Sequence, residues 1–237
     1  MKTIADNVDL VRERIARAAA RVGRSPDSVT LMAVGKTVEL ERIRQAAEAG
    51  IRVFGENRVQ EFAEKFPDPA TRPEGEWHLI GHLQSNKAGK AVELFDAVDS
   101  VDSLRLAERL NRRAAEMAKV LPVLIEINVG GEESKSGVPL DSPQRDELLR
   151  GMEALDHLQV RGLMAVPPLA QNPGATRPYF RLLRDLRDSI AARKLPRIEM
   201  EVLSMGMSHD FEVAIEEGST CVRVGTAIFG ERPKPNP

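Results

Sequence analysis

One cysteine, Cys221, stands in 237 residues. It cannot form an intramolecular disulfide, and it fits a reducing compartment. No window approaches 18 uninterrupted apolar residues, so no membrane-spanning helix is expected. The first 23 residues hold no apolar stretch of signal-peptide length, and their acidic residues argue against a transit peptide. A basic excess is missing too: 34 Lys and Arg face 36 Asp and Glu. Neither nucleic acid nor a membrane surface is thus an expected partner, and the expected setting is cytoplasmic. There is no G-x-G-x-x-G turn for a dinucleotide, no G-x-S-x-G nucleophile elbow, and no Pro/Gly/Ser linker between domains.

What is present is an alternation. Ile4, Val8, Val11, Ile15, Ala18 and Val22 share one helical face, which Gly23 ends. Strand-like runs then follow at 29–34, 52–55, 76–81, 97–101, 122–129, 158–166, 201–206 and 220–226. Helix-like runs fall between them at 38–49, 59–66, 86–94, 104–119, 143–155, 178–194 and 211–217. Eight strands, each followed by a helix except at a truncated end, predict a single (β/α)8 TIM barrel with an extra N-terminal helix. An open doubly wound sheet competes, but it usually has fewer strands. Residues 1–232 are expected to form one domain and 233–237 a frayed tail. The long loop from Pro167 to Pro178 is the one place for a lid.

In such a barrel the strand C-termini form the active face. The first strand delivers Lys36 there, through LMAVGKT. Burial lowers a lysine's pKa and makes its amine a nucleophile for carbonyls, although a lysine that merely snorkels to the surface also fits this stretch. Loops after the seventh and eighth strands commonly bind phosphate, and these carry Ser208, Gly225 and Thr226. Alone, Ser208 reads equally as a helix cap and Gly225 as a turn glycine. Arg223 lies in CVRVG on a strand expected to be buried, so it needs a partner. That partner is either an inward carboxylate such as Glu126 or an acceptor on a ligand. Other polar residues collected at strand ends are Glu56, Asn57, His82, Gln84, Ser85, Asn86, Lys87, Asn128, Ser134, Lys135 and Ser136. His78 and His82 straddle a strand and a turn, so no metal is expected from that pair. Ser208, His209 and Asp210 are adjacent and cannot align as a catalytic triad.

The motifs VGKT at 34–37, FGENRVQE at 54–61, WHLIGHLQSNK at 77–87, SKSG at 134–137, GLMAV at 162–166, LSMGMSHDFEVAIEEGST at 203–220 and VRVGTAIFGER at 222–232 run in order over almost the whole chain. Together they resemble the YggS/PROSC family, the pyridoxal phosphate homeostasis proteins, whose fold is like the alanine racemase N-terminal domain. The resemblance implies a pyridoxal 5′-phosphate (PLP) Schiff base at Lys36. It also implies phosphate contacts from Ser208, Gly225 and Thr226, Arg223 facing the pyridine nitrogen, and Asn57, Met205 and Met207 around the ring. Gly35 stands where serine is more often expected, and His209 where an acidic or small residue is common.

Arginine keeps its proton and donates to an unprotonated ring nitrogen, which weakens PLP as an electron sink. Racemases of this fold also use arginine there but take a second base from an additional β-domain. This chain stops at Pro237, and its only tyrosine, Tyr179, begins an outer helix. The expectation is a PLP carrier, a monomer that buffers the cofactor or delivers it to apo PLP enzymes without robust catalysis. A PLP-dependent amino-acid racemase is the alternative, and a hydrolase or aldolase using Lys36 on a sugar phosphate the third reading. Nothing in the sequence assigns a second PLP to surface lysines such as Lys87 and Lys135.

Overall fold

The computed structural model describes residues 2–132 and 135–231. Ser134 of the SKSG motif and the tail expected at 233–237 lie outside the described residues. Eight strands form the barrel: β1 (Thr30–Val34), β2 (Val53–Glu56), β3 (Glu76–Leu79), β4 (Ala97–Val101), β5 (Leu121–Asn128), β7 (Leu158–Met164), β8 (Ile198–Met207) and β9 (Cys221–Val224). All neighbours pair in parallel, and β1 pairs with both β2 and β9. The β4–β5 pairing completes the ring, so the barrel is closed. Closure leaves no free edge within this eight-stranded ring. A two-residue strand, β6 (Val138–Pro139), adds to the end of β5 outside the ring; it is too short for any sequence pattern to mark.

The helices are α1 (Ile4–Arg21), α2 (Leu40–Glu48), α3 (Val59–Lys65), α4 (Ala88–Leu94), α5 (Leu104–Glu116), α6 (Pro143–Met152), α7 (Arg177–Ala192), α8 (Phe211–Glu216) and α9 (Thr226–Phe229). Local chemistry sets several starts. Thr3 and Asp6 form a capping box on α1, Ser103 caps α5, and Ser142 caps α6 with Pro143 at its first position. Among the described residues no helix is long and apolar enough to cross a membrane.

The expected truncated end is corrected by the structure: the last strand does have its helix, α9. Ile228 and Phe229 are buried there, and α1 packs over both α8 and α9. Asn7 of α1 donates its side-chain amide to the Ile228 carbonyl at 2.9 Å. Arg14 of α1 pairs with Glu212 of α8 and lies over the Phe211 ring. The extra helix therefore buttresses the two short helices that follow β8 and β9. Val22, expected on its buried face, is exposed because it falls at the C-cap, past the last helical turn.

Candidate functional site

Lys36 arrives at the C-terminal mouth through a strand end that turns sharply. Gly35 still donates its amide to the Gly55 carbonyl at 2.9 Å, continuing the β1–β2 ladder one residue past β1. Lys36 then lines a cavity of about 330 Å³ with Val34, Asn57, Ile80, Val166, Met207, Ser208, His209, Arg223, Gly225 and Thr226. Three strand-end groups meet there: the first strand's lysine, the second's asparagine and the last two strands' loops. Asn57 is fixed by close backbone approach. A Cβ on Gly81 would stand 2.3 Å from the Asn57 carbonyl oxygen, so only glycine fits beside it.

Ser208 joins the last two units. Its Oγ accepts the amide of Gly225 at 3.2 Å and that of Ala227 at 3.3 Å. The helix-cap reading of Ser208 does not hold, because the N-cap residue of α8 is Asp210. Asp210 instead accepts the Met207 amide on Oδ1 at 2.7 Å. Burial pushes the Asp210 carboxyl up, and that hydrogen bond works against the shift. Gly225 is not a positive-φ turn glycine either: it sits at φ −112° as the N-cap of α9.

The two methionines expected around a ligand part ways. Between the pairs Ser204–Cys221 and Met207–Arg223, β8 advances three residues against two on β9. This bulge turns at Gly206, with φ at +93°, where a Cβ would lie 2.5 Å from the Ala214 Cβ. Met207 is thereby aimed into the cavity, whereas Met205 is fully buried in the core and does not line it. Simple alternation would have put both on one face.

Arg223 is buried, and the alternative ion pair with Glu126 is not made. Its Nη1 donates to the Ser204 hydroxyl at 2.7 Å and its Nη2 to the Ala165 carbonyl at 2.8 Å. Two of the five guanidinium N–H groups are thus used by neutral acceptors, and the residue still lines the cavity. Burial pushes the guanidinium below its ordinary value; Cys221, Asp99, Glu126 and Asp210 oppose that. Glu126 keeps one oxygen, Oε2, buried without a hydrogen-bond partner. Burial and the charge of Asp102 push its carboxyl up to about 7, against the pull of Arg223.

The remaining strand-end residues go elsewhere. His82 pairs with Asp102 at 3.2 Å, and His78 with Asp99 at 3.0 Å near the opposite mouth. Asn128 donates to the Glu132 carbonyl at 2.8 Å and shapes the loop after β5. Lys135 reaches the Pro167 carbonyl at 3.3 Å, tying that loop to the one after β7. Within the long loop Leu169 is 90% exposed, and a 3₁₀ turn at Pro173–Thr176 leads into α7. Sequence reading missed the apolar lining from Val34, Ile80 and Val166. Each sits at or just past a strand's C-terminal end, and that position was the available signal.

The lining chemistry is one-sided. An amine, a guanidinium, a side-chain amide, an imidazole, two hydroxyls and the backbone at Gly225 face the cavity, and none of the described lining residues bears a carboxylate. Such a set suits an anion that also carries a carbonyl for Lys36, with apolar walls for a ring.

Residues 7–233 match the alanine racemase N-terminal domain family. A pyridoxal phosphate homeostasis protein of Aquifex aeolicus is 44% identical over 96% of this chain and 97% of its own length. One from Escherichia coli (strain K12) is 45% identical over 98% of each. The structure of PipY from Synechococcus elongatus PCC7942 with PLP bound is similar at a TM-score of 0.78. It is 39% identical and covers 91% of this chain and all of that one.

Proposed function

Since this chain belongs to the family of pyridoxal phosphate homeostasis proteins, within the alanine racemase N-terminal domain family, we propose that it binds PLP and serves PLP homeostasis by holding the cofactor and handing it on. Lys36 takes the aldehyde carbon, and Ser208, Gly225 and Thr226 receive the phosphate. Arg223 donates to the ring nitrogen, and Asn57 and Met207 flank the ring. PLP supplies an electron sink when bound, and arginine at the ring nitrogen leaves that sink weak. The observation that carries this reading is the cavity itself, whose polar lining holds cationic and hydrogen-bonding groups without a carboxylate, with one amine among them.

Holding rather than turnover follows from the same lining. Apart from Lys36, His209 is the one described lining side chain of the His, Lys, Cys, Tyr, Asp or Glu types that serve as general acids or bases, and it is exposed at the rim. Residues 1–232 act as one PLP-binding unit in this reading, as a monomer. The cofactor passes to apo PLP enzymes, and a lone buried cysteine suits a cytoplasmic setting.

Absorbance of the purified protein with PLP is the test. Wild type shows the band of lysine-bound cofactor; Lys36→Ala loses it and binds PLP about 100-fold more weakly. No D-amino acid accumulates from L-amino acids above the Lys36→Ala background. A band that survives in Lys36→Ala overturns the assignment of the lysine. Steady racemisation that Lys36→Ala abolishes overturns the carrier role.

A further inference from the structure

The turn bearing Lys36 is held from behind by two residues of α3, Glu61 at the end of the FGENRVQE motif and Lys65 outside any motif. Lys65 donates its ammonium to the Gly35 carbonyl at 2.8 Å and to Oε1 of Glu56 at 2.6 Å. Glu61, one turn earlier on the same helix, accepts the Thr37 amide on Oε1 at 2.5 Å. The backbone on both sides of Lys36 is therefore bound to one helix face. Thr37 needs such support, because it sits at φ +60°, a left-handed conformation that a β-branched residue adopts only under constraint.

The holding side chains are themselves fixed. Glu56 is fully buried, with Oε1 in the ion pair and Oε2 without a hydrogen-bond partner. Burial pushes its carboxyl up, and the Lys65 ammonium pulls it back. A Cβ on residue 35 would stand 2.8 Å from Glu56 Oε1, so glycine at 35 leaves room for this carboxylate against the turn. Helix α3 is docked by an aromatic cluster: Phe62 contacts Trp77 and Phe95 with centroids 5.3 and 4.4 Å apart, and Phe66 lies 4.8 Å from Trp77. A helix anchored in this way presents Glu61 and Lys65 at a set height.

We propose that Lys65 and Glu61 are positioning residues for Lys36, clamping residues 35 and 37 so that the amine between them meets the ligand's carbonyl in one orientation. This rests on the PLP reading above. The clamp's contribution lies in orientation, since a small misplacement of a reacting group costs far more in rate than in folding stability.

The measurement is the rate at which a large excess of hydroxylamine removes the lysine-bound absorbance band from PLP-loaded protein, alongside Tm. Lys65→Met strands the Glu56 carboxylate and is expected to lower Tm. The double variant Glu56→Leu/Lys65→Met replaces the buried pair by apolar groups of similar size, which restores stability. The clamp predicts that the double variant recovers Tm yet exchanges with hydroxylamine at a rate about tenfold different from wild type. Glu61→Ala, at a partly exposed side chain, folds normally and shifts the rate about threefold. Wild-type rates in both the double variant and Glu61→Ala overturn the clamp. A wild-type protein with no band at all overturns the PLP reading instead, so the two failures are distinct.

Discussion

At the N-terminal mouth of the barrel, Glu76, His78, Asp96, Asp99, Arg161 and Cys221 line a hollow of about 550 Å³. At the C-terminal mouth a smaller hollow, about 330 Å³, presents donors without a carboxylate. In the N-terminal hollow the basic groups have acidic partners: His78 pairs with Asp99 and Glu76, and Arg161 with Glu199 and Glu201 of β8. In the C-terminal one Arg223 is hydrogen-bonded to a hydroxyl and a carbonyl and makes no ion pair with a lining carboxylate. The two hollows therefore differ less in size than in sign: the larger is lined by carboxylates and the smaller by none among the described residues. The contrast also fits the division of labour in this fold, with chemistry at one end and stability at the other.

Asp99→Asn tests the stability end and has the largest expected effect. Burial alone would push His78 down, but the charge and hydrogen bond of Asp99, together with Glu76, outweigh it and push the imidazole up to about 10. A folded value raised above the ordinary 6.5 gives stabilisation that is complete below pH 6.5 and disappears as pH rises through about 10. The variant should lose about 2–3 kcal/mol near pH 6.5, read by denaturant unfolding, and lose little above pH 10. PLP affinity should stay within about twofold. A tenfold loss of affinity with no change in stability breaks the comparison.

Ser208→Ala tests the binding end. Loss of the hydroxyl that accepts from Gly225 and Ala227 should weaken PLP about tenfold in an absorbance titration, roughly 1.4 kcal/mol. Its unfolding free energy should fall by less than that of Asp99→Asn. The reverse pattern would show Ser208 to be scaffold only.

The smallest effect belongs to the middle of the barrel. The Glu126 carboxyl is pushed up to about 7, mainly by burial, so its folded value exceeds its unfolded one. The ionised form is disfavoured in the fold, and stability falls as pH rises from about 4.5 to 7. Glu126→Gln should be more stable than wild type by on the order of 1 kcal/mol at pH 8, and equal to it at pH 4. A variant that is less stable at pH 8 would mean that Glu126's attraction to Arg223 outweighs its burial.

Much of this layout was legible in residue order. Strand–helix alternation marked all eight barrel strands, because parallel strands buried on both faces read as short apolar runs. Lys36, Asn57, Met207, Ser208, Arg223, Gly225 and Thr226 do converge on one cavity. Met205 was misplaced because a bulge shifts register by one residue, and nothing in the period-two pattern shows where a bulge falls. Ser208's two hydrogen bonds were hidden for a similar reason. Its two donors lie 17 and 19 residues away, across a helix and a strand. The Lys65–Gly35 bond spans 30 residues and ends on a backbone carbonyl, which has no side-chain identity to betray it.

One feature of the fold also governs when the molecule first becomes competent. The cavity draws Lys36 from the first strand–helix unit and its cradle from the last two, and α1 is tied to α9 across 221 residues. β1 acquires its second neighbour only when β9 arrives. A nascent chain emerging from the ribosome thus exposes Lys36 early but lacks the opposing half of the pocket until synthesis is nearly over. Cofactor capture is therefore a late event in the protein's biogenesis, available only to a chain whose ring has already closed.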